Sequence, residues 1–120
     1  MDVDAIQEKL REFANERDLD QFHSPKNLAM ALSVEASELL EHFQWLSEQE
    51  SHDLDEEKHG EVAHEMADVL IYLIRLADKL DIDLEVSVDE KMLLNAEKYP
   101  TEQVKGSSKK YTAYSGNSKS

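Results

Sequence analysis

The chain has 120 residues, a formal net charge of -14 and no cysteine. That length supports one domain with a modest core. The acidity argues against nucleic acid or an anionic membrane as the main partner, because both need a cationic face, and the missing cysteines exclude disulfides and thiolate metal sites.

With 40% hydrophobic and 33% charged residues, 3 Gly and 2 Pro, the composition favours a soluble all-α fold. The opening MDVDAIQEKL is too charged for a signal peptide. No apolar run approaches the ~18 residues of a membrane span. A cytoplasmic protein is expected.

Hydrophobic periodicity predicts four helices. The first runs from about Asp4 to Arg17, with Ile6, Leu10 and Phe13 on one face. DLDQFHSPKN breaks the pattern, and Ser24-Pro25 reads as an N-cap followed by the first helical residue. The second helix extends from there to about Leu46. SEQESHDLDEEKHG is polar and acidic and reads as a loop, with Gly60 weakening any helix through it. The third helix covers roughly Glu61 to Leu80 and is apolar over more than half its circumference, which predicts packing on several sides and a homo-oligomer. The fourth runs from about Leu84 to Tyr99, stopped by Pro100. Residues 1–100 are read as a single helical domain, and residues 101–120 as a Ser/Lys-rich tail expected to be flexible.

The second helix contains an anomaly. Leu28, Leu32, Leu39, Phe43 and Leu46 share one face, and at ~100° per residue Glu35 lies within about 40° of that stripe's centre. Glu38 sits at its edge. An unpaired buried carboxylate costs several kcal/mol or shifts its pKa, so Glu35 needs a partner. The third helix repeats the spacing: Glu65 and Asp68 lie on its polar strip with Glu61 and Tyr72. Side chains at i and i+3 share a face, so two such helices packed together would converge four carboxylates. Like charges that close repel unless a cation lies between them, and an all-oxygen donor set suits Mg²⁺ or Mn²⁺. The spacing leaves a second reading open for Glu65 and Asp68, a strip that simply faces water, while a lysine or hydroxyls could satisfy Glu35.

On the fourth helix Lys91, Asn95 and Lys98 recur at i, i+4 and i+7, a spacing that could grip phosphate or present a solvated lysine face. Trp45, the single tryptophan, could stack on a base or pack at a helix end. Glu61-Val-Ala-His64 has the Glu-x-x-His form used by carboxylate di-iron bundles, but that class needs two such motifs.

Five segments together, FHSPKN, EVASELLEHFQW, EMADVLIYL, KMLLNAEKYP and SSKKYT, resemble the MazG-like all-α nucleoside triphosphate pyrophosphohydrolases, within them the dCTP pyrophosphatase branch. The resemblance covers about Ile6 to Tyr111. It implies Mg²⁺ held by Glu35, Glu38, Glu65 and Asp68, with Mn²⁺ able to substitute. It implies hydrolysis of a nucleoside triphosphate, dCTP or another deoxynucleotide, to monophosphate and pyrophosphate in nucleotide housecleaning. It also implies a dimer or tetramer of helical subunits, with Trp45, Tyr72, Lys91, Asn95 and Lys98 near the nucleotide. Glu38 is the candidate to take a proton from the attacking water. Leu10 and Leu19 stand where that branch has a histidine and a tryptophan enclosing the base. The alternative is a non-catalytic helical interaction module whose acids serve only solubility.

Overall fold

A computed structural model describes residues 1–99 of the chain. Among these residues the structure is helical throughout: α1 (Val3–Glu16), a 3₁₀ turn (Asp20–Phe22), α2 (Pro25–Glu41), a single helical turn α3 (Glu48–Ser51), α4 (Glu56–Lys79) and α5 (Leu84–Lys98). The expected tail lies outside the described residues.

Each α-helix begins at a short polar side chain that accepts a hydrogen bond from the exposed backbone N–H groups of its first turn. Asp2 caps α1, Ser24 α2, Ser47 α3, Asp55 α4 and Asp83 α5. Pro25 occupies the first turn of α2, as Ser24-Pro25 predicts. Two aspartates also end helices: Asp18 and Asp81, both at φ 54°, turn the chain away after α1 and α4, a left-handed conformation that aspartate tolerates better than most residues.

Three boundaries differ from expectation. Regular α2 stops at Glu41, and the stretch to Leu46 continues as turns. The predicted loop contains α3, held by a reciprocal capping box in which the Ser47 N–H donates to Glu50 Oε1 at 2.8 Å and the Glu50 N–H donates to Ser47 Oγ at 3.1 Å. And α4 starts at Glu56, running through Gly60. The Asp55 cap, at 2.7 Å from the Lys58 N–H, and the acidic first turn of Glu56 and Glu57 offset the roughly 1 kcal/mol that a helical glycine costs.

The chain divides into two units, Met1–Ile82 and Asp83–Ser120. In the first, α2 packs along α4 and α1 packs against α4. Its core is small: Ala14, Leu28, Val62, Ile74 and Ala77. Buried among these apolar residues is one cation, Arg75, only 4% exposed. Its Nη2 donates to Asp20 Oδ1 at 2.9 Å, and its Nη1 lies 3.5 Å from Asp78 Oδ2. Each aspartate has a second cation. Lys79 Nζ donates to Asp20 at 2.7 Å, while Arg11 forks onto Asp78 with contacts of 2.6 and 2.8 Å. This lattice ties α1 and the 3₁₀ turn to α4. In the second unit, α5 buries none of its side chains, and Val86, Val88, Met92 and Leu93 are exposed.

Two outcomes are expected. A Cβ added at Gly60 meets nothing within 4 Å, so Gly60→Ala should stabilise the fold by about 0.5–1 kcal/mol, read as a higher Tm by circular dichroism. The Arg11 fork holds the Asp78 carboxyl below the usual carboxylate range, and Lys79 and then Arg75 do the same for Asp20. A lowered folded pKa contributes stability that is complete above the unfolded value, near ~3.9, and is lost as pH falls toward the folded value. Tm should therefore drop on acidification below about pH 4, and Asp78→Asn should lower Tm at neutral pH while flattening that acid limb.

Candidate metal and ligand site

The anomaly of Glu35 resolves at the α2–α4 contact. One oxygen from each of Glu35, Glu38 and Glu65 lies within 4.8 Å of the others, and all three side chains are half-buried. Glu35 Oε2 and Glu65 Oε2 are buried with no hydrogen-bond partner among the described residues. The neighbouring Glu65 carboxyl, together with burial, pushes the Glu35 carboxyl above its ordinary range, and Glu35 in turn pushes Glu38 up. A folded chain holds three acids in mutual repulsion only at a cost. The donors are hard, oxygen-only and partly desolvated, which fits a divalent cation of the magnesium or manganese type.

Asp68 stands outside that group of three. It still faces the same region, since its charge helps raise the Glu35 pKa and it lines, with Glu35, a cavity of about 350 Å³. Glu61, one turn before Glu65 on α4, is engaged elsewhere: Lys58 Nζ lies 3.4 Å from its carboxylate and His42 Nδ1 3.8 Å.

The cavity continues away from the acids between α1, the following turn and α4. Leu10, Phe13, Leu19 and Ile71 form apolar walls, with Tyr72 beside them. Leu10 and Leu19, the two departures noted in the sequence, thus meet at one cavity. Tyr72 is one turn past Asp68, so acid and aromatic ring share a face of α4. Further along that face, two turns from Asp68, are Arg75 and its neighbour His23, which also line the cavity. Arg75 Nη2 is 3.2 Å from His23 Nδ1. Burial, and then the Arg75 charge, hold the His23 pKa below its ordinary value.

The remaining sequence candidates are divided between the two units. Trp45 is 86% exposed in the turns after α2 and does not line this cavity. Lys91, Asn95 and Lys98 are on α5, in the second unit. The sequence reading missed Arg75. Its signal is the mirror image of that at Glu35, a lone cation inside the apolar run LIYLIRLADKL.

If the carboxylates hold a cation, that cation stabilises the fold. A ligand at 100 times its Kd contributes about 2.7 kcal/mol. Tm should rise when EDTA is replaced by Mg²⁺. Glu35→Gln, which removes one repelling charge, should raise Tm in EDTA and abolish the Mg²⁺ response. Equal Mg²⁺ responses in both proteins would remove Glu35 from the site.

Known proteins share this arrangement of sequence and fold. The model of the MazG-like family matches residues 30–113. The chain is 43% identical over 103 residues to dCTP pyrophosphatase 1 of Homo sapiens, covering 84% of this chain, and 44% identical over 103 residues to the same-named protein of Mus musculus. The match spans 61% of the length of those relatives. A crystal structure of a pyrophosphatase from Archaeoglobus fulgidus superposes with a TM-score of 0.77 at 45% identity, covering 81% of this chain and 91% of that one.

Proposed function

The chain belongs to the MazG-like family, and on that premise we propose that it is a nucleoside triphosphate pyrophosphohydrolase. It cleaves the α–β phosphoanhydride bond of a nucleoside triphosphate, foremost dCTP or another deoxynucleotide, releasing monophosphate and pyrophosphate in nucleotide housecleaning. The observation that carries this reading is the carboxylate cluster with its two unpartnered oxygens, set beside a cavity that Glu35 and Asp68 share. The names of the relatives, dCTP pyrophosphatase 1, and of the structural neighbour, a pyrophosphatase, point the same way.

Glu35, Glu38 and Glu65, joined by Asp68, would hold Mg²⁺, with Mn²⁺ able to substitute. The ion, when bound, supplies positive charge against the phosphates and makes nearby water more acidic. Everything else falls to the chain. Phosphoryl chemistry needs positioning and charge neutralisation more than covalent help, and on this reading the α2–α4 contact positions the triphosphate. Glu38, its carboxyl pushed up by Glu35, accepts the proton of the attacking water. The walls of Leu10, Phe13 and Leu19 exclude water around the nucleoside, and Tyr72 borders it. Lys91, Asn95 and Lys98 bind phosphate, and Trp45, which does not line its own subunit's cavity, packs on the base bound by a neighbouring subunit.

The subunits associate as a dimer or tetramer, an arrangement supported by exposed Met30, Val34 and Leu40 on α2 and Met66 and Leu73 on α4, apolar side chains that a partner would cover. No helix among the described residues is long and apolar enough to cross a membrane, and we place the enzyme in the cytoplasm.

The test is product analysis over the ribo- and deoxyribonucleoside triphosphates with Mg²⁺. Monophosphate plus pyrophosphate is expected, lost on adding EDTA. Asp68→Asn and Glu35→Gln should each lower kcat about 10²–10³-fold, the usual cost of removing one charge-stabilising group, with helicity retained. Diphosphate plus orthophosphate, or full turnover by either variant, overturns the assignment.

A further inference from the structure

Arg75 has five N–H donors and no acceptor. Asp20, His23 and Asp78 take up its terminal nitrogens. Its Nε is buried and has no acceptor among the described residues. A buried donor without an acceptor is costly, and this one belongs to a residue that lines the cavity. The contact with His23 carries a second piece of information. Because the guanidinium can only donate, His23 Nδ1 must accept, so the ring is neutral and carries its proton on Nε2. Two N–H donors, Arg75 Nε–H and His23 Nε2–H, therefore belong to residues that line this part of the cavity.

The distance is right for a nucleoside. Arg75 lies seven residues beyond Asp68, about 10 Å along α4 at 1.5 Å per residue. With phosphates at the carboxylates, the sugar and base extend along the apolar walls toward Arg75.

We propose that Arg75, with His23, reads the base: this end of the cavity selects a base whose ring nitrogen and adjacent carbonyl oxygen both accept. Cytosine does so with N3 and O2. Uracil and thymine present a donating N3–H between two carbonyls and would set donor against donor. The inference rests on the reading of the cavity as a nucleotide site and adds the determinant of base choice.

The experiment is equilibrium binding of nucleoside monophosphates to the full chain in EDTA, by calorimetry. dCMP should bind about ten- to hundredfold tighter than dUMP, the range expected for one well-made hydrogen bond against a mispaired donor. Arg75→Met should erase that preference. Asp20 and Asp78 keep Lys79 and Arg11 as partners, so the variant leaves no orphaned carboxylate; circular dichroism checks its fold. A substrate change needs no variant at all: 3-deaza-dCMP, which lacks the N3 acceptor, should bind wild type about tenfold more weakly than dCMP. Equal binding of dCMP and dUMP, equal binding of dCMP and 3-deaza-dCMP, or an unchanged preference in folded Arg75→Met overturns the proposal. Turnover of dCTP with Mg²⁺ is measured separately. Selective binding without turnover sinks the pyrophosphohydrolase reading and leaves Arg75 as the base reader. Turnover without selective binding does the reverse.

Discussion

Repulsion among the carboxylates at the α2–α4 contact is the constraint around which the first unit is organised. A small domain has only a few kcal/mol of net stability, yet Glu35, Glu38 and Glu65 are held with oxygens within 4.8 Å of one another. Among the described residues, neither Glu35 Oε2 nor Glu65 Oε2 has a hydrogen-bond partner. The nearest lysine on the same helix, Lys58, is engaged with Glu61 instead. Burying unmatched charge costs several kcal/mol, and an oxygen-only cluster of this kind fits a divalent cation.

The opposite charge is handled differently two turns along α4. Arg75 is more deeply buried than any of the acids, but it is matched by Asp20 and Asp78, and each of these has a second cation. Bridges made by exposed side chains such as Arg11 contribute little by themselves, typically 0–1 kcal/mol. Their importance here is positional. Asp20 belongs to the turn that carries Leu19 and His23, so holding Asp20 against Arg75 holds that turn against α4. Arg11 anchors α1, which carries Leu10 and Phe13, through Asp78. The ionic lattice thus sets the walls of the cavity, and the carboxylates set its far end. Charge positions the apolar surface, reversing the usual order in which an apolar core positions charge.

The core helps explain why so much falls to polar contacts. Only Ala14, Leu28, Val62, Ile74 and Ala77 are buried apolar residues among those described, while large side chains such as Leu40, Met66 and Met92 stay exposed. A subunit built this way has much of its apolar surface still to cover, consistent with helices that are apolar over more than one face.

The sequence by itself determined whatever depends on neighbours within about one helical turn. Ser24-Pro25 marked the start of α2, and the 3.6-residue period marked the long helices. The inward direction of Glu35 followed from Leu28, Leu32 and Leu39, and the i, i+3 spacing paired Glu35 with Glu38 and Glu65 with Asp68. Local signals could still mislead: Gly60 suggested a loop, whereas the cap at Asp55 carried α4 straight through it. Only the tertiary structure decided which acids meet. It brought Glu65 to Glu35 and Glu38 while leaving Asp68 at the cavity edge, a distinction that the packing of α2 on α4 makes and that i, i+3 spacing cannot. It also decided that Arg75 finds Asp20 and His23, residues more than fifty positions away. Short-range spacing encodes which face a side chain takes on its own helix; which groups then share a space depends on how the helices cross.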